Sequence, residues 1–222
     1  MSTMKLYNYF RSSPSYRVRI ALHYLEIPFE YVPVHLLQDG GQQYKDAYVQ
    51  INPMKEVPSL VVQEKIISQS MAIFRYLHEI HKERSLFPQD AYLQAKVIQL
   101  CENINAGMHP LQNLKVGKYL QEKFHITEEQ KLEWNQFWIR QGLEACEKML
   151  SKTAGTFCFA DQLSAADMFL IPQLFASRRF QLDLQAFPTL LKIEKNALQL
   201  SCFQKAHPHF QIDTPQDLRG IL

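Results

Sequence analysis

Hydroxyls and guanidinium groups crowd one short run near the start of the chain: Arg11-Ser12-Ser13-Pro14-Ser15-Tyr16-Arg17-Val18-Arg19-Ile20-Ala21-Leu22. The run follows an apolar, strand-like stretch, Lys5 to Phe10, and opens a helical pattern with Val18, Ala21, Leu22 and Leu25 on one face. Ser12 and Ser13 therefore fall at the C-terminal end of a strand and the N-terminus of a helix. Backbone N–H groups without helical partners and the positive end of the helix dipole converge at such a point. It is a place to hold an anion, and a thiolate is an anion. The same residues also read as a plain cap, with Ser13 at the N-cap and Pro14 in the first helical position.

Two further features share this half of the chain. Glu56-Val57-Pro58-Ser59-Leu60 puts a proline directly before a strand pattern, and Gln69-Ser70 stands at the start of the next helix. A cis Val57–Pro58 bond would expose the Val57 N–H and C=O to an extended peptide, which could add to them as an extra strand. Gln69 and Ser70, at a helix N-terminus, could hold a carboxylate. An ordinary loop proline and an ordinary N-cap are the alternative readings.

The elements that must position these groups follow from periodicity. Lys5 to Phe10 reads as a strand, Tyr16 to Leu25 as a helix and Phe29 to His35 as a second strand, with Pro33 arguing for a sheet edge. Residues 40 to 51 read as a loop with a short helix. Ser59 to Val62 and Ile66 to Ser68 form a hairpin whose turn, Gln63-Glu64, lacks the usual Gly or Asn. Ser70 opens a helix with Ile73, Phe74, Leu77 and Ile80 on one face. The order is β-α-β-α-β-β-α.

From about Ala91 the pattern is helical throughout. Tyr92 to Phe124 carries a long helical repeat with Pro110 inside it, which should kink or re-aim the helix. Thr127 caps a helix over Glu128 to Ser151. Ser164-Ala165-Ala166-Asp167 is a variant capping box, and Pro188 opens a further helix. The change from mixed to all-helical pattern, with Pro88 in the linker, divides the chain into residues 1–85 and 86–222: an α+β domain followed by an all-α domain.

Composition narrows the function. The chain has 222 residues, 46% of them hydrophobic, and a formal charge of +2 without a basic run. Nucleic acid and anionic membranes are not implied as partners. No stretch approaches the roughly 18 apolar residues of a membrane span, and Met1 to Lys5 offers no signal-peptide core. Cys101, Cys146, Cys158 and Cys202 are widely spaced, with no C-x-x-C pair, so neither a metal site nor a redox dithiol is suggested. Reduced thiols in a cytoplasmic protein are the simplest account.

Taken together and in this order, these stretches resemble the glutathione transferases, whose first half is thioredoxin-like. The resemblance extends to the zeta class, whose signature S-S-C-x-x-R-V-R-I-A-L stands here as Ser12-Ser13-Pro14-Ser15-Tyr16-Arg17-Val18-Arg19-Ile20-Ala21-Leu22. Asp39-Gly40-Gly41-Gln42-Gln43, Asn52-Pro53-Met54-Lys55, Val57-Pro58-Ser59-Leu60, Gln69-Ser70-Met71-Ala72-Ile73, His109-Pro110-Leu111-Gln112-Asn113-Leu114 and Asp213-Thr214-Pro215 also match, so the likeness covers nearly the whole chain.

The resemblance implies a thioredoxin-like domain that binds glutathione and a helical domain that carries the co-substrate wall. Ser12 would donate to the glutathione sulfur, with Ser13 and Arg17 helping to build the site. Gln43, Val57, Gln69 and Ser70 would hold the peptide, Val57 through its backbone beside Pro58, and Gln69 and Ser70 at the γ-glutamyl carboxylate. His109 and Asn113 would join them, although a histidine there also reads as structural. The signature cysteine is replaced by Pro14, which removes a thiol and any step that needs it.

The implied reaction is glutathione-dependent cis–trans isomerisation of maleylacetoacetate to fumarylacetoacetate in tyrosine and phenylalanine breakdown. The thiolate would add to the conjugated double bond, the resulting single bond would rotate, and elimination would return glutathione. A cis-unsaturated dicarboxylate calls for fixed cations, for which Arg11 and Arg179 stand, with Lys115 a further candidate. Arg178 and Arg179 also read as exposed charges near a helix C-terminus. The alternatives are isomerisation of maleylpyruvate, a conjugating or dehalogenating transferase, and a non-catalytic binding module. A homodimer is implied by the family alone.

Overall fold

A computed structural model describes residues 4–220. Its strands form one mixed sheet in the order β2-β1-β3-β4. β1 (Met4–Asn8) lies inside it, with Leu6 fully buried. β2 (Phe29–Pro33) pairs with β1 in parallel, Met4 opposite Phe29 and Asn8 opposite Pro33. Pro33 thus ends an edge strand, where a missing N–H costs the ladder little. The strand stops there rather than at His35, although the Val34 N–H still reaches Asn8 O at 2.7 Å.

β3 (Ser59–Val62) runs antiparallel to β1 and forms a hairpin with β4 (Lys65–Ser68). The two-residue turn closes without glycine because Gln63 itself takes a φ of 57°. Between β1 and β2 runs α1 (Ser13–Tyr24), buried along most of its length. The short α2 (Asp46–Val49) precedes β3, and α3 (Ser70–Ile80) follows β4, burying Ile73, Phe74 and Leu77. Ile80, assigned to the same face by periodicity, is exposed at the last turn, where the apolar stripe has run out.

The remainder is helical: α4 (Ala91–Glu102), α5 (Leu114–Phe124), α6 (Glu128–Leu150), α7 (Ala165–Arg179), α8 (Pro188–Ala197) and α9 (Ser201–Ala206). The expected continuous pattern over 92–124 is broken by a π-helical turn, Asn103–Met108, and a 3-10 turn, His109–Gln112, which contains Pro110. The predicted caps form. Thr127 Oγ1 accepts from Gln130 N while Gln130 Oε1 accepts from Thr127 N. Asp167 Oδ2 accepts from the backbone N–H and the hydroxyl of Ser164, and its Oδ1 accepts from Cys158 N.

The chain forms two compact units, and their division differs from the expected boundary in one respect. The second unit is Phe87–Ala197, whereas the segment from Leu198 onward belongs with the first, which runs to Leu86. Arg19 of α1 is fully buried, and its Nε donates to Ala206 O on α9 at 3.0 Å. Asp213 accepts from Phe10 N, just past β1, and from the Tyr31 hydroxyl on β2. Helical periodicity identifies α9 as a helix but carries no record of which core it joins.

Candidate active site

In the first unit, β1 runs antiparallel to β3 with Tyr7 opposite Ser59, and Ser59 lies opposite Ser68 on β4. The exit of β1, the entry to β3 and the exit of β4 therefore meet at one end of the sheet. Ser12, the Val57–Pro58 peptide and Gln69-Ser70 all lie at that end. The Val57–Pro58 bond is cis, as its sequence context predicts.

Ser12, rather than Ser13, is the N-cap of α1: its φ and ψ are −70° and 119°, and Ser13 and Pro14 take the first two helical positions. Ser12 uses both of its oxygens on the first turn. Oγ accepts from Ser15 N at 3.3 Å, and the carbonyl accepts from Tyr16 N at 2.9 Å. Pro14 has no N–H, so the N–H of Ser13 is the first-turn donor left beside Ser12 Oγ. Among the described residues no acceptor takes the Ser12 hydroxyl hydrogen. Ser12 is half-buried and Ser13 buried. A hydroxyl donor, a backbone donor and a helix N-terminus thus converge on one small volume, which suits a thiolate.

α3 begins in a different way. Its N-cap, Gln69, has a φ of 72°, makes no side-chain cap bond and is exposed. Ser70 is buried, and its Oγ accepts from Arg17 Nη1 at 3.2 Å. Arg17 is itself fully buried and joins the start of α3 to α1.

Gln43 is buried in a 3-10 turn, and its Nε2 donates to Leu36 O at 3.2 Å. Its Oε1 is shielded from solvent and has no donor among the described residues, a state that favours an incoming N–H. The amide lies so close to Gly41, with a φ of 99°, that a β-carbon there would come within 2.7 Å of it. Only glycine fits that approach.

Several supports escaped the motif reading. The Tyr48 hydroxyl donates to Glu56 O at 2.6 Å, Asn52 Nδ2 donates to the same carbonyl at 2.7 Å, and Tyr48 also meets Ser59 Oγ at 3.2 Å. These bonds hold the residue immediately before Val57. Burial pushes the Tyr48 phenol up to about 12, so it stays a donor at neutral pH. Arg19 and Asp213 flank the Tyr9–Ser12 turn. Arg11 lies half-buried within it. Asn52, Arg19 and Asp213 all stand inside matching motifs, but nothing in those motifs names their partners.

The second unit holds the other candidates. His109 opens its 3-10 turn, with Nδ1 3.4 Å from Gln112 Nε2. Gln112 exchanges amide hydrogen bonds with buried Gln173 at 2.7 and 3.3 Å. Asn113 caps α5 by accepting from Lys115 N at 3.1 Å, so its side-chain oxygen is engaged in capping. The paired arginines separate in role. Arg178 makes a two-pronged ion pair with buried Glu194 of α8. Arg179 is exposed, its guanidinium 5.1 Å from the Phe180 ring centre.

Comparison with known proteins follows the same lines. Residues 2–79 match the family model described as glutathione S-transferase, N-terminal domain. Maleylacetoacetate isomerase of Mus musculus is 44% identical over 214 residues, 96% of either chain. A holo structure of maleyl pyruvate isomerase, a bacterial zeta-class glutathione transferase, superposes with a TM-score of 0.92 at 34% identity, covering 95% of this chain and all of that one. Maleylacetoacetate isomerase from Anaeromyxobacter dehalogenans, with dicarboxyethyl glutathione and citrate in its active site, gives a TM-score of 0.85 at 36% identity, covering 96% of this chain and 98% of that one.

Proposed function

This chain belongs to the zeta class of glutathione transferases, the family of the maleylacetoacetate isomerases, and from that premise we propose that it isomerises maleylacetoacetate to fumarylacetoacetate with glutathione as cofactor. The observation that carries the proposal is the Ser12 hydroxyl at the start of α1, its hydrogen uncommitted and the Ser13 N–H beside it. When bound, glutathione supplies the thiolate that adds to the cis double bond, permits rotation and is then expelled.

The chain's own residues make that thiolate available. Ser12 donates a hydrogen bond to sulfur, and the dipole of α1 lowers the cost of its charge. A free thiol near pKa 8.5 is mostly protonated at neutral pH, so this lowering is the first task of the site. Gln43 Oε1 accepts a peptide N–H. The Val57 backbone pairs with the extended peptide, held there by Tyr48 and Asn52 through Glu56 O. Gln69 and Ser70 receive the γ-glutamyl carboxylate, with Arg17 orienting Ser70. With Pro14 in place of the signature cysteine, no protein thiol stands next to Ser13, and the reaction relies on Ser12 and the dipole.

Arg11 and Arg179 are assigned to the co-substrate carboxylates. Arg178 is excluded from that role because Glu194 already occupies its guanidinium. His109 and Asn113 are proposed as glutathione-binding residues on the family resemblance alone. The citrate and dicarboxyethyl glutathione in the Anaeromyxobacter dehalogenans enzyme support a dicarboxylate substrate. A maleylpyruvate substrate is the second reading, favoured by the likeness to a zeta-class isomerase of that acid.

The protein is further proposed to be a cytoplasmic homodimer. Buried Cys101, Cys146 and Cys158, none of them in a disulfide, suit a reducing compartment, and no helix among the described residues is long and apolar enough to cross a membrane. Light scattering tests the dimer. The substrate assignment is tested by coupled assays of purified protein on the two cis acids, and equal rates with and without glutathione would refute it.

A further inference from the structure

The turn that presents Ser12 is gripped by opposite charges. Past the end of β1, the Phe10 N–H donates to Asp213 Oδ2 at 3.0 Å, and the Phe10 carbonyl accepts from Arg19 Nη2 at 2.9 Å. Arg19 Nη1 reaches Tyr9 O at 3.3 Å, and that carbonyl also accepts the Ser12 N–H at 3.0 Å. The remaining bonds anchor the two gripping groups. Arg19 Nε donates to Ala206 O and its Nη1 to Asn8 Oδ1, while Asp213 Oδ1 accepts from the Tyr31 hydroxyl. Leu218 packs against the cluster that contains Tyr9, Phe10 and Val57.

We infer that Arg19 and Asp213 are positioning residues that fix the Tyr9–Ser12 turn and thereby aim the Ser12 hydroxyl, so that the C-terminal segment is a working part of the thiol site. The inference rests on the reading of Ser12 as the thiolate donor. Its chemistry has one sense only. A guanidinium donates and never accepts, and a carboxylate accepts and never donates, so each selects one face of the Phe10 backbone. These residues lie beyond the β1 ladder, so the backbone bond from Ser12 N–H to Tyr9 O and these side chains together set their dihedrals. Catalytic groups must be held to about half an ångström, and a 1 Å error costs on the order of a hundredfold in rate.

A double-mutant cycle on Asp213→Asn and Ser12→Ala tests it. Asparagine keeps the shape but turns one acceptor into a donor facing either Phe10 N–H or Tyr31 O–H. In Asp213→Asn we expect kcat to fall about tenfold, the glutathione KM to change less than about twofold, and the bound thiol to titrate higher. In the double variant we expect little further loss beyond Ser12→Ala, because Asp213 acts through Ser12. Tyr31→Phe removes one donor from Asp213 without altering its charge, and serves in the same cycle if Asp213→Asn does not fold. Here the expected effect is smaller and of the same sign. A wild-type thiol pKa and kcat in the folded variants, or losses that add in full, would overturn the inference. A Ser12→Ala variant with unchanged thiol pKa would instead overturn the underlying reading of Ser12, and the inference with it.

Discussion

Arg17 and Ser70, 53 positions apart in the chain, are joined by a hydrogen bond of 3.2 Å from Nη1 to Oγ, and both are buried. Arginine can only donate, so Ser70 is an acceptor toward Arg17, and the proposed function has its hydroxyl donate to the carboxylate of a bound peptide. The bond couples α1, which carries the proposed thiol site, to α3, which carries the proposed carboxylate site.

Ser70→Ala should therefore weaken glutathione binding about tenfold, or about 1.4 kcal/mol. It should also lower stability by about 1–3 kcal/mol, because a buried donor loses its acceptor. Calorimetric titration and denaturant unfolding give the two numbers. A wild-type Kd would remove Ser70 from the peptide site.

Ser12→Ala removes the hydroxyl donor but leaves the dipole of α1. The bound thiol should titrate about one unit higher, which cuts the thiolate fraction about tenfold near neutral pH. Ultraviolet titration of the thiolate reads this directly, and glutathione affinity should hardly change. An unchanged thiol pKa would shift the stabilisation onto the Ser13 N–H and the dipole.

The adjacent arginines should behave as opposites. Arg179→Ala should lower kcat/KM for a dicarboxylate roughly thirtyfold or more, the loss of a charged partner being about 2–5 kcal/mol, and should spare stability. A neutral electrophile should be little affected. Arg178→Ala should leave the buried Glu194 carboxylate without its partner and lower stability by about 1–3 kcal/mol, read as a lower Tm. The reverse pattern would exchange their roles.

Acid should act on the fold through His207. Burial first, then the neighbouring His209 and Arg19, depress its imidazole from 6.5 to about 4. Its Nδ1 accepts from His209 N at 3.2 Å, a bond that protonation destroys, and its ring stands edge-on to Tyr16 at 5.9 Å. Between pH 6.5 and about 4 the unfolded chain binds a proton that the folded chain refuses, so stability rises with pH across that window and is lost on acidification. Urea unfolding at several pH values should show this slope, with a flatter one in His207→Gln. Parallel slopes would assign the acid sensitivity to other groups.

What the sequence made legible was local. Proline and serine chemistry marks where α1 starts, and periodicity gives the order of elements along the chain with Pro33 at a sheet edge, whereas the spatial order β2-β1-β3-β4 comes from the structure. The position of the cap was off by one because Ser12 and Ser13 are equally competent caps, and only the backbone dihedrals separate them. Arg178 and Arg179 look alike in sequence until Glu194, 16 residues further on, claims one of them. The grip on Phe10 joins residues 203 positions apart, and neither partner reveals the other. The π-helical turn at Asn103–Met108, between α4 and a 3-10 turn, leaves no mark in the helical periodicity of the sequence.

The central claim is glutathione-dependent cis–trans isomerisation, and a side-by-side assay of purified protein on maleylacetoacetate and maleylpyruvate, with and without glutathione, tests it most directly. We predict rapid conversion to the trans acid only when glutathione is present, no net consumption of glutathione, and a higher kcat/KM for maleylacetoacetate. Preference for maleylpyruvate would move the assignment to the second reading. No acceleration of either acid by glutathione, with glutathione shown to be bound, would contradict the account.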